Sequence, residues 1–294
     1  MRLLAATLLT GLACLATAAQ AGAILDRIKH SGRITIAHRE ASVPFSYLDA
    51  QGRPVGYAMD LCQRLVEAVA RRVEHKSLAV DLKLVSSATR IPTMADGAAD
   101  LECESTTNTA ERRERVAFTV PHYITGARML VRADSTINEL RDLDGKRLVS
   151  TTGTTPLKTI TQLNRERLLG VRIADVPDHA RGIELVEKGE ADAFLMDEVL
   201  LIGLLATRPD PAKLKVVGKY LTIEPLAIML PKGDAEFKRV VDDEMKRLIR
   251  SGEALALHDK WFTRSIPPHG RNLNLPINYL LRDFWKYPSD WVPN

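Results

Sequence analysis

The stretches DGAADLECESTTNTAER (Asp96 to Arg112), KRLVSTTGTTPLKTI (Lys146 to Ile160) and KGEADAFLMDE (Lys188 to Glu198) decide how this chain folds. The first has a glycine that closes a helix, a short strand from Ala99 to Glu102, and a Ser/Thr-rich loop leading toward another helix. The second reads as a strand, a Ser/Thr/Gly loop, and a helix with Pro156 in its first turn. The third repeats the Gly-x-Ala-Asp entry into a strand and ends at Asp197. Polar residues thus collect at the carboxyl ends of strands, where open α/β sheets bind ligands. Ser/Thr caps and free N–H groups at helix N-termini favour anions there. A single loop of this kind is ordinary N-capping. Two of them, with Arg112 following the first, point to a ligand gripped from two sides.

Outward from this echo, strand and helix patterns alternate. Ile24 to His30 reads as a short helix stopped by Gly32, and Arg33 to His38 alternates as a strand. From Tyr57 onward, Ala58, Leu61, Cys62, Leu65, Val66 and Val69 recur at helical spacing, with Asp60, Arg64, Glu67 and Arg71 opposite. Val80, Leu82 and Leu84 alternate with Asp81 and Lys83 as a second strand, and Phe237, Val240, Val241, Met245, Leu248 and Ile249 mark a later amphipathic helix. The order predicts an α/β fold, with mostly parallel sheet flanked by helices. After Pro267 the chain turns irregular and aromatic, and this tail is expected to pack on the body.

Composition narrows the function classes. The 294 residues are 45% hydrophobic and 27% charged, which is globular and excludes disorder, collagen and a multi-span membrane protein. Lys plus Arg number 41 against 37 for Asp plus Glu, a net +4, with no basic run beyond arginine pairs, so there is no case for nucleic acid. Arg2, the uncharged run Leu3 to Ala19 and a small-x-small site ending at Ala21 read as a cleavable secretory signal over residues 1–21. A membrane anchor and a lipidated Cys14 are the alternatives. Export would place Cys62 and Cys103 in an oxidising compartment, as one disulfide or as two buried thiols.

No G-x-S-x-G elbow, Walker lysine, H-E-x-x-H or G-x-G-x-x-G is present, and the seven histidines lie singly. Nothing calls for a metal, a cofactor or a catalytic nucleophile.

HREASVPFSYLD (His38 to Asp49), VGYAMDLCQRLVEAV (Val55 to Val69), TRIPTMADGAADLECESTTNTAERR (Thr89 to Arg113), STTGTTPLKTI (Ser150 to Ile160), GEADAFLMDEVLL (Gly189 to Leu201) and HDKWFTRSIPP (His258 to Pro268) together resemble the periplasmic glutamate/aspartate-binding proteins of ABC importers. The resemblance runs in order through Pro268. It implies the two-lobed, type II periplasmic-binding-protein fold, with lobes joined by two crossovers that close on a ligand. Lobe 1 would comprise residues 22–125 and 223–294, the latter including the tail, and lobe 2 residues 126–222. The implied role is a monomeric periplasmic protein that delivers glutamate or aspartate to a membrane permease, with no catalysis. An exported cyclohexadienyl dehydratase-like enzyme and a receptor-coupled ligand sensor are the competing functions on this fold. With both cysteines in lobe 1, Cys62 on the inward helix stripe and Cys103 at a strand end, a Cys62–Cys103 disulfide is expected.

Matched residue by residue, the resemblance gives Arg112 the α-carboxylate, where a bidentate fork has the best geometry, with Thr107 and Thr154 adding donors. Asp197 and Ser105 would receive the ammonium. Arg39, Ser87, Arg90 and His179 would surround the side-chain carboxylate, with Thr151 bonding from lobe 2. On spacing alone, Arg39 and Arg90 are equally readable as surface partners of Glu40 or Asp96, and Asp197 as a helix cap. One position departs from the pattern: Glu104 stands where the family usually has glycine. It is expected to point outward, because Arg39 and Arg90 persist; an inward carboxylate would oppose an anionic ligand and favour a neutral or cationic one.

Overall fold

A computed structural model describes residues 22–292; the segment read as a secretory signal, with Cys14, lies outside the described residues. Two sheets carry the molecule. In the first, the strands run in the order Ala79–Leu84, Arg33–His38, Leu101–Thr107, Glu224–Pro231 and Val116–Phe118, with Tyr123–Thr125 also pairing Glu224–Pro231. In the second the order is Arg172–Val176, Arg147–Thr151, Ala193–Asp197, Ala127–Arg132 and Leu214–Val217. Three strands of each sheet are parallel, and the rest of the pairings are antiparallel. The sheets are therefore mixed rather than mostly parallel. Strands such as Ala127–Arg132 and Glu224–Pro231 arrive from the other lobe rather than through a helical crossover, and nothing forces them to run parallel.

The chain leaves the first sheet after Thr125, enters the second at Ala127, and returns between Val217 and Glu224. The two crossovers run side by side. The Ala127 N–H donates to Thr222 Oγ1 at 3.1 Å, and a Cβ on Gly126 would come within 2.5 Å of the Thr222 carbonyl.

Local sequence explains the flanking helices. Tyr57–Arg72 buries Ala58, Leu61, Cys62, Leu65, Val66 and Val69 against the first sheet, the stripe its periodicity predicts. Its start needs Gly56, with φ of 139° and no room for a Cβ, which would lie 2.2 Å from the Phe45 carbonyl oxygen. Cys62 on that helix is bonded to Cys103 on the Leu101–Thr107 strand, with Cα atoms 6.2 Å apart, as expected. Thr154 caps Thr155–Arg167, and Asp234 caps Ala235–Ser251 through the Phe237 N–H at 2.9 Å. No helix among the described residues is long and apolar enough to cross a membrane.

Two further expectations change. The Ser/Thr-rich segment around Ser105 to Thr107 is strand rather than loop, because the Leu101–Thr107 strand is sandwiched between two neighbours and buried throughout. The aromatic tail packs through only part of its apolar residues. Leu281 and Val292 are buried and the Trp285 indole donates to the Pro121 carbonyl at 3.1 Å, while Tyr279, Tyr287 and Trp291 are exposed.

Candidate functional site

The expected site residues gather where the carboxyl ends of the two sheets face each other. Thr107, Thr151 and Asp197 are the last residues of their strands, and His179 opens the helix that follows Arg172–Val176. Arg39 follows the Arg33–His38 strand, and Arg90 opens a short helix. Ser87, Ser105 and Thr154 are buried beside them. Arg112, half-buried on the short helix Ala110–Arg113, is placed by the Thr109 cap, which accepts from the Arg112 N–H at 3.2 Å.

Arg39 and Arg90 are buried, at 3% exposure each, so they are not surface partners of Glu40 or Asp96. Their partner is Glu104. Arg39 Nη1 donates to Ser87 Oγ at 2.7 Å and to Glu104 Oε2 at 3.2 Å. Arg90 Nη1 donates to Glu104 Oε1 and to Thr106 Oγ1, the latter at 2.8 Å. Ser42 Oγ adds a hydrogen bond to Glu104 Oε2 at 3.2 Å. The expectation that Glu104 points outward is thus overturned. It lies in ordinary strand conformation, since the described non-glycine residues with positive φ are Glu74, Leu168 and Asn274. Its Cβ therefore carries no left-handed strain, and two buried guanidinium groups outweigh the cost of removing one carboxylate from water.

Charge states follow from this packing. Burial pushes the Glu104 carboxyl up, but Arg90 and then Arg39 outweigh it and hold the group well below the usual carboxylate range. Neighbouring Glu102 goes the opposite way, raised by burial and by the Glu104 charge, so of the two carboxyls Glu102 is the one that favours its protonated form. His179 Nδ1 lies 2.8 Å from Thr151 Oγ1, and burial followed by the Arg39 charge pushes it well below its ordinary value. The imidazole is neutral. Glu104 is consequently a hydrogen-bond acceptor, not a proton donor.

The other end of the site joins the lobes. Arg112 Nη1 donates to the Thr107 carbonyl at 2.9 Å, and Nη2 reaches across to the Gly153 carbonyl at 3.1 Å. Burial, then Arg90, lowers its pKa to about 10, still charged at neutral pH. Thr107 Oγ1 and Thr155 Oγ1 are 3.3 Å apart across the same seam. Asp197 precedes the helix Glu198–Thr207 but makes no side-chain cap bond, and its buried Oδ1 has no hydrogen-bond partner. Burial and then Glu224 raise its pKa well above the usual range, so a cation arriving there would restore its charge.

Several residues at the site were not expected from sequence. Glu224, buried at the start of its strand, accepts from Thr155 Oγ1 at 2.7 Å. Thr106 Oγ1 is 2.9 Å from Glu104 Oε1 and 2.8 Å from Glu102 Oε1. For Thr106 a signal existed: residues 102, 104 and 106 share one strand face by alternation. For Glu224, followed by Pro225, none did.

Comparison with known proteins matches residues 34–264 to the bacterial extracellular solute-binding proteins, family 3. The chain belongs to this family. An L-glutamate/L-aspartate-binding protein of Pseudomonas aeruginosa is 41% identical over 267 residues, covering 90% of this chain and 88% of that protein. A glutamate/aspartate import solute-binding protein of Escherichia coli K12 is 38% identical over 293 residues, covering 99% of this chain and 97% of that one. Among solved structures, an ancestral amino acid-binding protein, described as a precursor of cyclohexadienyl dehydratase, is 26% identical with a TM-score of 0.70, covering 82% of this chain and 100% of its own. The fold is that of the two-lobed type II binding proteins, and the family member described here is a solute-binding protein rather than an enzyme.

Proposed function

We propose that this family member is exported to the periplasm, captures an acidic amino acid, glutamate or aspartate, between its lobes as a monomer, and delivers it to the permease of an ABC importer. The observation that carries the reading is a charged Arg112 together with an Asp197 carboxyl whose buried Oδ1 has no hydrogen-bond partner, which suits the α-carboxylate and α-ammonium of an amino acid. Thr107, Thr154 and Ser105 supply further polar partners at that end. Arg39, Ser87, Arg90, Thr151 and His179 form the side-chain end. Lobe 1 is residues 22–125 with 223–294, and lobe 2 is residues 126–222. The names of the relatives support the acidic class and the link to import.

Calorimetry of the purified chain from Gly22 onward, titrated with each of the common amino acids, tests the reading. Every α-amino acid that binds should lose at least about tenfold in affinity on Arg112→Ala, since unpairing a desolvated charge commonly costs about 2–5 kcal/mol. Binding of no amino acid, or binding indifferent to that substitution, would overturn it.

A further inference from the structure

The side-chain end of the site is already occupied by a carboxylate belonging to the protein. Arg39 and Arg90 both donate to Glu104, and Ser42 donates to it as well. Glu104 itself is fully buried. Its backbone is fixed between two strands, and its carbonyl accepts from His122 Nε2 at 3.1 Å, so the carboxylate is positioned rather than free to swing away. We propose that Glu104 is a specificity-determining residue: it competes with the side-chain carboxylate of a bound acidic amino acid for Arg39 and Arg90, and so brings the affinities for an acidic amino acid and its amide close together. The inference rests on the assignment of this end of the site to the ligand side chain.

The physical basis is competition between a tethered and a free carboxylate. A group held on the same chain acts at an effective concentration far above that of a dissolved ligand. The two guanidinium charges are opposed by one carboxylate, leaving a single net positive charge where two would otherwise meet the ligand. His179 on the facing helix is neutral and adds none, and burial with the Glu104 charge favours the protonated form of Glu102. Donors nevertheless remain. Arg90 Nε is buried without a partner, and a guanidinium can offer an N–H to an amide oxygen as readily as to a carboxylate. A neutral polar side chain therefore keeps its hydrogen bonds at this end, while an acidic one loses most of its electrostatic advantage.

The test is calorimetry of the chain from Gly22 onward with glutamate and glutamine, in the native protein, Glu104→Gly and Arg112→Ala. Native affinities for the two ligands should lie within about tenfold of each other. Glu104→Gly should shift the ratio toward glutamate by about tenfold or more, the scale of an unpaired buried charge, chiefly through tighter glutamate binding. Any smaller shift overturns the proposal. If Glu104→Gly does not fold by circular dichroism, Glu104→Gln, which keeps the volume and removes the charge, is read against the same threshold. Loss of both ligands in Arg112→Ala without a ratio shift in the Glu104 variant refutes this proposal and leaves the binding site standing. Native binding of neither ligand, or Arg112→Ala binding both as the native protein does, removes the site assignment and this proposal with it.

Discussion

Arg112 of one lobe donates to the Gly153 carbonyl of the other at 3.1 Å, so the arginine proposed to hold the ligand α-carboxylate also fastens the lobes together. Around this bond the seam is tight. Thr107 and Thr155 hydroxyls meet at 3.3 Å, and Lys158 pairs with Glu111 at the rim. The exposed Lys158–Glu111 pair adds little, because solvent screens it. Backbone approach at Gly153 is the tighter constraint.

That constraint makes Gly153→Ala a probe of closure. Gly153 has φ of 78°, and a Cβ there would lie 2.6 Å from the Ser87 carbonyl oxygen on the opposing lobe. Alanine is strained locally and clashes only when the lobes meet. The variant should keep its far-ultraviolet circular dichroism and lose at least about tenfold in affinity for every ligand, because only the closed state satisfies both ligand ends. Small-angle scattering should show native compaction at saturating ligand and less in the variant. Equal affinity and equal compaction would place the seam elsewhere.

Arg90 tests the buried charge cluster through stability. Removing one partner of a buried pair strands the other, commonly at about 3–5 kcal/mol. Arg90→Ala leaves Glu104 with Arg39 alone, next to Glu102, and should lower the urea midpoint strongly without changing the slope. Arg39→Ala combined with Arg90→Ala should cost more than the sum of the two single variants, since only then is buried Glu104 left without a cation. A double variant whose loss is merely that sum would show that Arg90 acts by packing.

What sequence revealed here depended on how local the information was. The Tyr57–Arg72 helix was legible because its apolar stripe lies within sixteen residues of chain, and the strand end at Asp197 because it can be read from the segment that leads into it. Glu104 was misread for the opposite reason. Alternation places it on a strand face with Glu102 and Thr106 but cannot say what covers that face, and Arg39 arrives from 65 residues away. Glu224 was invisible because its partner Thr155 is 69 residues distant. The antiparallel strands escaped because crossover direction is set by the return path between lobes, not by any pattern within a strand.

The Cys62–Cys103 bond should contribute mainly by restricting the unfolded chain. The cysteines are 41 residues apart, and closing a loop of that size restricts the denatured state by about 4 kcal/mol in the chain-entropy account. Both side chains are fully buried, so a Cys62→Ala, Cys103→Ala double variant also loses packing. Protein from Gly22 onward, made in an oxidising compartment, should show no free thiol when unfolded without reductant. The double variant should melt well below the native protein, and reductant should lower only the native melting temperature.

The imidazole of His122 links the site to pH. It is fully buried, its Nε2 donates to the Glu104 carbonyl, and its Nδ1 has no partner. Burial pushes its pKa down to about 3, only partly offset by the Glu104 carbonyl and charge. In the unfolded chain a histidine titrates near about 6.5. Between these values the unfolded state binds a proton that the folded state refuses. The contribution of His122 to stability is therefore fully present above about pH 6.5 and declines as pH falls, by about 1.4 kcal/mol per pH unit. His122→Gln can keep a hydrogen bond to the Glu104 carbonyl and cannot titrate. Unfolding by urea from pH 7 to pH 4 should thus show the native protein losing stability faster than the variant by about that slope, the carboxylates common to both cancelling in the difference. Parallel curves would mean that the imidazole accepts its proton inside the fold, and that the Glu104 strand tolerates a charge on His122.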